Sequence, residues 1–379
     1  MQTSRALIAA DLGSSCFKLV YRSATGHMRA LLMPSEFGVI NAAQIDQHLE
    51  SYRDDPQRSA YLRMDDKIYA AGELARDSLV VQYHEYLKWE NLSLKVLMIL
   101  GLVKELTRLP NSFSVTLGLL LPRAEASVID RNERIEEIKQ MAAAGFYFRD
   151  DAEPICCSLD LVLFTEGAGV YLNHAMALRT KGQFTQQIDV PIVMGGERNT
   201  SLTYFEKGKL NPKRSDSNGP HFYEVAELMR RSIGVDIPLH VMIAAIARRQ
   251  TTFRHPGLSK PIGISAATEA ALDDYCQRMK TYLIARLPVD NVSVCGCGGA
   301  LWLIWDRLQD WFEELQIPAT YLSTSLEADL KTLLVGDMNF DLMRNPADPI
   351  RFADAYGVYQ VLLAQSRRQA QPSSTQLVA

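Results

Sequence analysis

Twice in this chain, about 180 residues apart, an apolar strand runs into a glycine-bearing polar turn and then resumes as a second apolar strand. The first copy is Leu7 to Asp11, the turn Leu12-Gly13-Ser14-Ser15-Cys16, and Phe17, Leu19 and Tyr21 on alternate positions. The second is Val190 to Val193, the turn Gly195-Gly196-Glu197-Arg198-Asn199-Thr200, and Ser201 to Phe205. Each copy opens a block of domain size, and 379 residues are more than one core normally organises. The repeat therefore predicts an internally duplicated α/β chain of two domains.

The elements between the two hairpins follow in α/β order. Met28 to Met33 reads as a third strand inside a polar, irregular insert spanning 24–75. Leu94, Leu97, Met98, Leu102 and Leu106 stand at helical spacing, with Asn91 as cap and Pro110 beyond the end. A strand over 113–121, a charged helix over 128–144 and a strand ending at Thr165-Glu166-Gly167 come next. Past the second hairpin, helices are expected over 222–233, 239–249 and 265–285, the last capped by Ser265, with 250–262 as loop. A strand from Val292 ends in Gly298-Gly299 ahead of a helix over 301–315, and a last helix covers 350–368.

Several residues carry chemistry. Gly13 allows close backbone approach, Ser14 and Ser15 offer hydroxyls and N–H groups to anionic oxygens, and Lys18 adds a mobile positive charge. Asp11 is a carboxylate of the kind that holds hydrated magnesium. An ordinary hairpin with a polar turn has the same local pattern. Glu166 sits at the carboxyl end of its strand, where open α/β sheets bind ligands, and also where a helix dipole favours an acid.

Composition excludes some classes. A net charge of −4 disfavours non-specific nucleic-acid binding. Seven histidines and six cysteines form no metal-ligand spacing, so a zinc enzyme is not expected, and reduced cysteines in a cytoplasmic protein are. The longest apolar run, Val96 to Val103, is too short to span a membrane, and Met1 to Arg5 does not resemble a secretory leader.

In order along the chain, these parts resemble the actin-like ATPase superfamily, and most closely its bacterial plasmid-segregation actins of the ParM type. The likeness rests on Asp11 to Lys18 as first phosphate hairpin, Gly195 to Thr203 as second, and Val294 to Leu301 as adenosine motif. It rests also on Phe352 to Tyr359 as returning helix, on the Ser112 to Arg123 strand ending in Leu-Leu-Pro, and on Thr165 to Gly169. The resemblance implies a duplicated, ribonuclease H-like two-domain fold with a nucleotide cleft between domains. Domain I would be 1–178 plus 352–371, domain II 179–351, and 372–379 a disordered tail.

It further implies ATP (or GTP) and magnesium as ligands. Asp11 would organise the magnesium waters, with Gly13, Ser14, Ser15, Lys18, Gly195, Gly196, Asn199 and Thr200 around the phosphates. Glu166 would position the attacking water. Gly298 and Gly299 would lie against the adenine, with Ser217, Asn218, Gly219 and Glu224 on the nucleoside side. It implies self-association into filaments, and a DNA-bound adaptor protein for plasmid partition. One departure stands out: the aspartate that the superfamily places two residues before the glycine pair is Val193 here. A structural filament with weak or absent hydrolysis, or a monomeric small-molecule kinase of the same fold, are the alternatives.

Overall fold

A computed structural model describes residues 5–13, 15–22, 26–78, 80, 88–123, 131–234, 237–254, 259–288, 290–335, 340 and 347–370. The described residues fall into two compact units: one drawn from 1–121, 125–165 and 354–379, the other from 122–124 and 166–353. The helix after Glu166 thus goes with the second unit and the C-terminal helix with the first.

The first unit is built on strands β1 (Arg5–Leu12), β2 (Cys16–Arg22) and β3 (Met28–Pro34). The insert adds β4 (Phe37–Ile40), β5 (Tyr61–Met64) and β6 (Lys67–Ala71). Then come β7 (Ser112–Leu121), β8 (Tyr147–Phe148) and β9 (Cys156–Thr165). The main sheet has the order β3-β2-β1-β7-β9, with β1 parallel to β7 and β7 parallel to β9. Parallel strands covered on both faces read as continuous apolar runs, which is why all of β1 after Arg5 is buried. The helix Leu92–Thr107 is apolar over most of its circumference because most of its residues lie in that core.

The insert is not irregular. Its strands β4, β6 and β5 are joined by β8, from outside the insert, in a separate sheet of order β4-β6-β5-β8, and it adds a helix, Ala42–Tyr52. Asn41 and Gln44 cap that helix reciprocally, but only Ile45, His48 and Leu49 are buried, so its apolar period is too sparse to stand out in sequence. Asn91 takes the position before its helix but in a left-handed conformation, with no side-chain cap.

The second unit holds β10 (Val190–Gly195), β11 (Thr200–Glu206), β12 (Lys209–Leu210) and β13 (Asp216–Gly219). A small hairpin, β14 (Thr252–Phe253) with β15 (Ile262–Gly263), lies within the stretch expected as loop. β16 (Val294–Cys297) and β17 (Ala319–Tyr321) complete the sheet, ordered β12-β11-β10-β16-β17 with β13 on β11. Helices Phe222–Ile233, Leu239–Ala247 and Ser265–Ile284 enclose its core. Ser265 does not cap the last of these; it is the first helical residue and donates to the Thr251 carbonyl. The segment after Gly298 is two helices, Gly299–Trp302 and Trp305–Glu314, rather than one.

The six cysteines are free thiols. Among the described residues no helix is long and apolar enough to cross a membrane. Ser14 and the tail from residue 371 lie outside the described residues.

Candidate functional site

In the first hairpin Asp11 pairs with Lys18 and Leu12 with Phe17, leaving residues 13–16 as the turn. Opposed residues of an antiparallel pair project from the same face, so Asp11 and Lys18 meet, Nζ to Oδ2 at 2.5 Å. A second ammonium arrives from 77 positions along the chain: Lys88 Nζ donates to Asp11 Oδ1 at 2.7 Å. Asp11 is only 5% exposed. Burial by itself pushes its carboxyl up, but the charges of Lys18 and Lys88 outweigh that and hold it well below the usual carboxylate range. Gly13 is required by space, since a Cβ there would lie 2.8 Å from Lys18 Nζ and 2.9 Å from the Cys16 carbonyl oxygen. Ser15 borders the turn, its Oγ 3.7 Å from Cys16 Sγ.

Glu166 directly follows β9 in sequence and is 6% exposed. Thr203 Oγ1 donates to its backbone carbonyl at 2.7 Å, and Ser201 Oγ to its Oε2 at 3.5 Å. Gly167 follows with φ of +87°, and a Cβ there would press on Thr203 and Ile192. A buried carboxylate with its backbone fixed by one hydroxyl and an oxygen bordered by another can orient a water or accept its proton.

The second hairpin pairs Gly195 with Thr200, Met194 with Ser201, Val193 with Leu202 and Ile192 with Thr203. Its turn, 196–199, has the length of the first, so Leu12 corresponds to Gly195, Gly13 to Gly196 and Asp11 to Met194. Counting back from the first glycine of the pair had put the counterpart at Val193. Strand register moves it by one, and the faces agree. Ser201 and Thr203, which hold Glu166, lie opposite Met194 and Ile192, whereas Val193 is 1% exposed and packs with Leu202 in the unit's core. The hairpin carries a thioether at Met194 where the first carries a carboxylate.

The other sequence-derived positions separate into two groups. Thr200 is fully buried and its hydroxyl donates to the Pro220 carbonyl, so its side chain ties strands together rather than facing a ligand. Asn199 donates through its side-chain amide to the Ser217 carbonyl. Gly219 is a packing glycine: a Cβ would meet Thr200 at 2.8 Å and Tyr282 at 3.0 Å. Gly195 and Gly298 are packing glycines as well: a Cβ on Gly298 would sit 2.5 Å from the Gly195 carbonyl oxygen, and one on Gly195 would sit 2.6 Å from the Leu301 backbone nitrogen. Gly299, in contrast, has open space where a side chain would go, and Gly196 is bordered only by the Asn199 carbonyl at 3.0 Å. Glu224 lies in the first turn of its helix with an Arg278 partner at 3.3 Å, and Ser217 Oγ is buried with no hydrogen-bond partner among the described residues. Asn218, between Ser217 and Gly219 in β13, is exposed, its backbone N–H donating to Asp216 Oδ1 at 3.0 Å.

Lys88 was not legible in advance. It stands before a helix with no motif around it, and only the fold brings it to Asp11.

No family model matches this sequence, and no curated protein matches it. Solved structures do match over nearly its whole length. The actin-like protein Alp7A is 13% identical, covering 97% of this chain and 100% of its own, at a TM-score of 0.65. Ta0583, an archaeal actin homolog solved in complex with ADP, is 14% identical over 95% of this chain and 99% of its own, at 0.64. A 15-stranded ParM filament from Clostridium botulinum is 15% identical over 96% and 99%, also at 0.64. This chain has the actin-like fold. The duplicated hairpins and the strand-glycine-helix segment at Gly298 are parts of that fold, recognisable although so few residues are shared.

Magnesium held by Asp11 does not fit the donors that this actin-like chain presents. Both Asp11 oxygens are engaged by ammonium groups, and the corresponding position in the second hairpin is Met194. Among the described residues no three His, Cys, Asp or Glu side chains converge on a metal-sized space.

Proposed function

We propose that this chain binds a purine nucleoside triphosphate, ATP or GTP, and assembles with itself into filaments in the bacterial cytoplasm. In the first unit, phosphate oxygens are assigned to Lys18, Ser15 and the backbone of the first hairpin's turn; in the second unit, the Gly196 turn is the phosphate-side candidate and Gly299, Ser217 and Glu224 the nucleoside-side ones. The observation that carries this reading is the Asp11–Lys18 pair beside a glycine with no room for a side chain, on an actin-like fold. An ADP complex among the similar structures, and a filament among them, support nucleotide and self-association respectively. Hydrolysis is assigned to water oriented by Glu166, since phosphoryl transfer is mostly positioning and charge stabilisation. A role in plasmid partition through a DNA-bound adaptor protein follows from the same likeness.

A second reading, a structural filament with slow or absent turnover, is favoured by Met194 at the place of a second carboxylate. The kinase alternative lacks a base other than Glu166. The purified protein mixed with ATP or GTP should gain pelletable mass and show filaments by electron microscopy. Unchanged sedimentation with every nucleotide would dispose of the filament proposal.

A further inference from the structure

Asp11 is clamped rather than paired. Its two oxygens take one ammonium each, from Lys18 at 2.5 Å and Lys88 at 2.7 Å, and both lysine side chains are almost as enclosed as the carboxylate itself. The three groups together carry one net positive charge. Asp11 Oδ1, the oxygen that Lys88 holds, lies 3.7 Å from where a Gly13 Cβ would be, so the carboxylate oxygen that carries the second ammonium borders the turn. Lys88 is also held from behind: Lys95, in the buried helix Leu92–Thr107, donates to its backbone carbonyl at 3.4 Å.

A carboxylate with both oxygens engaged by ammonium groups is a poor partner for a hydrated divalent cation, which must be brought into a region that is already positive. A polyphosphate meets the opposite situation. Two ammonium groups in a partly desolvated site are charge-assisted donors to its oxygens, and Asp11 keeps both oriented until the anion arrives. Lysine is a point charge with rotatable donors, so each can turn from carboxylate to phosphate without moving the backbone.

We propose that Lys88 takes the place of a carboxylate-held divalent cation at the first hairpin, so that this chain binds nucleoside triphosphate without magnesium. The inference rests on the nucleotide reading above, and it concerns how the charge of the phosphates is met.

Titrating the intact protein with ATP and with GTP by calorimetry, once in excess magnesium and once in excess EDTA, tests it. The expected result is binding in both buffers with dissociation constants within about threefold of each other. Binding that weakens more than about tenfold in EDTA would overturn the inference and leave the nucleotide reading standing. No heat with either nucleotide in either buffer would overturn the nucleotide reading, and the inference with it. Lys88→Ala, checked for an unaltered melting transition, should weaken binding in EDTA by about tenfold or more and make it magnesium-dependent, while Lys88→Arg restores most of it. A Lys88→Ala protein that binds in EDTA like the wild type would remove Lys88 from the role.

Discussion

Glu166 and Met194 define what one face of β10 and β11 can do. Glu166 is held through its backbone carbonyl by Thr203, a contact that survives removal of the carboxylate. Glu166→Ala should therefore leave nucleotide-dependent polymer intact while slowing phosphate release about a hundredfold, in the range for losing a positioned base. An unchanged release rate in a coupled phosphate assay would take Glu166 out of the reaction. Met194 and Val193 make a matched pair of substitutions because they point to opposite faces. Met194→Asp places a carboxylate beside Ser201 on the Glu166 face, and phosphate release should rise if a second acid is what the site lacks. Val193→Asp buries an unpaired charge against Leu202 and should cost about 3 kcal/mol or more in urea denaturation. Equal stability of the two variants would refute the assignment of faces.

The elements depend on glycines of two kinds. Gly118 in β7 faces the C-terminal helix Ala353–Ala370, and a Cβ there would lie 2.7 Å from Val358 and 2.9 Å from Leu362. Gly118→Ala should push that helix off the sheet and lower stability by about 1–3 kcal/mol, read from the denaturation midpoint. Wild-type stability in that variant would mean the helix docks more loosely than its burial indicates. Gly195 and Gly298 are the same kind, spacers that let backbones touch, whereas Gly299 leaves open space. All three look alike in sequence as parts of glycine turns. A glycine needed for packing and one that leaves room for a ligand differ only in what lies beyond the missing side chain.

At the scale of the whole chain, stability should depend on acid through His174, buried in the helix Ala168–Thr180 with Nε2 against Ser293 Oγ at 3.0 Å. Burial, helped by the charge of Lys181, lowers its pKa from 6.5 to about 4. The folded state thus favours neutral imidazole, and the unfolded state takes up the proton first as pH falls. This contribution is complete above pH 6.5, is lost between 6.5 and about 4, and amounts to about 3 kcal/mol. Melting temperatures across that window should fall for the wild type and be flatter for His174→Gln; parallel curves would exclude His174 as the cause.

Much of the architecture was legible from local pattern, because strand alternation, glycine turns and helical spacing are properties of neighbours in sequence. Both hairpins, the strand before Glu166, the strand-glycine segment at Gly298 and the returning C-terminal helix are of this kind, and their order pointed to the actin-like fold. The helix Ala42–Tyr52 was missed because too few of its positions are buried to show a period. What needed the tertiary structure is whatever depends on partners distant in sequence. Lys88 meets Asp11 only because the turn before a buried helix returns to the sheet. Met194 replaces Val193 as the counterpart of Asp11 only once β10 and β11 are paired, since a shift of one residue exchanges the faces of a strand. Sequence alone determined that the chain carries two strand-glycine-turn-strand hairpins; register and long-range packing decided which charges and which faces those hairpins present.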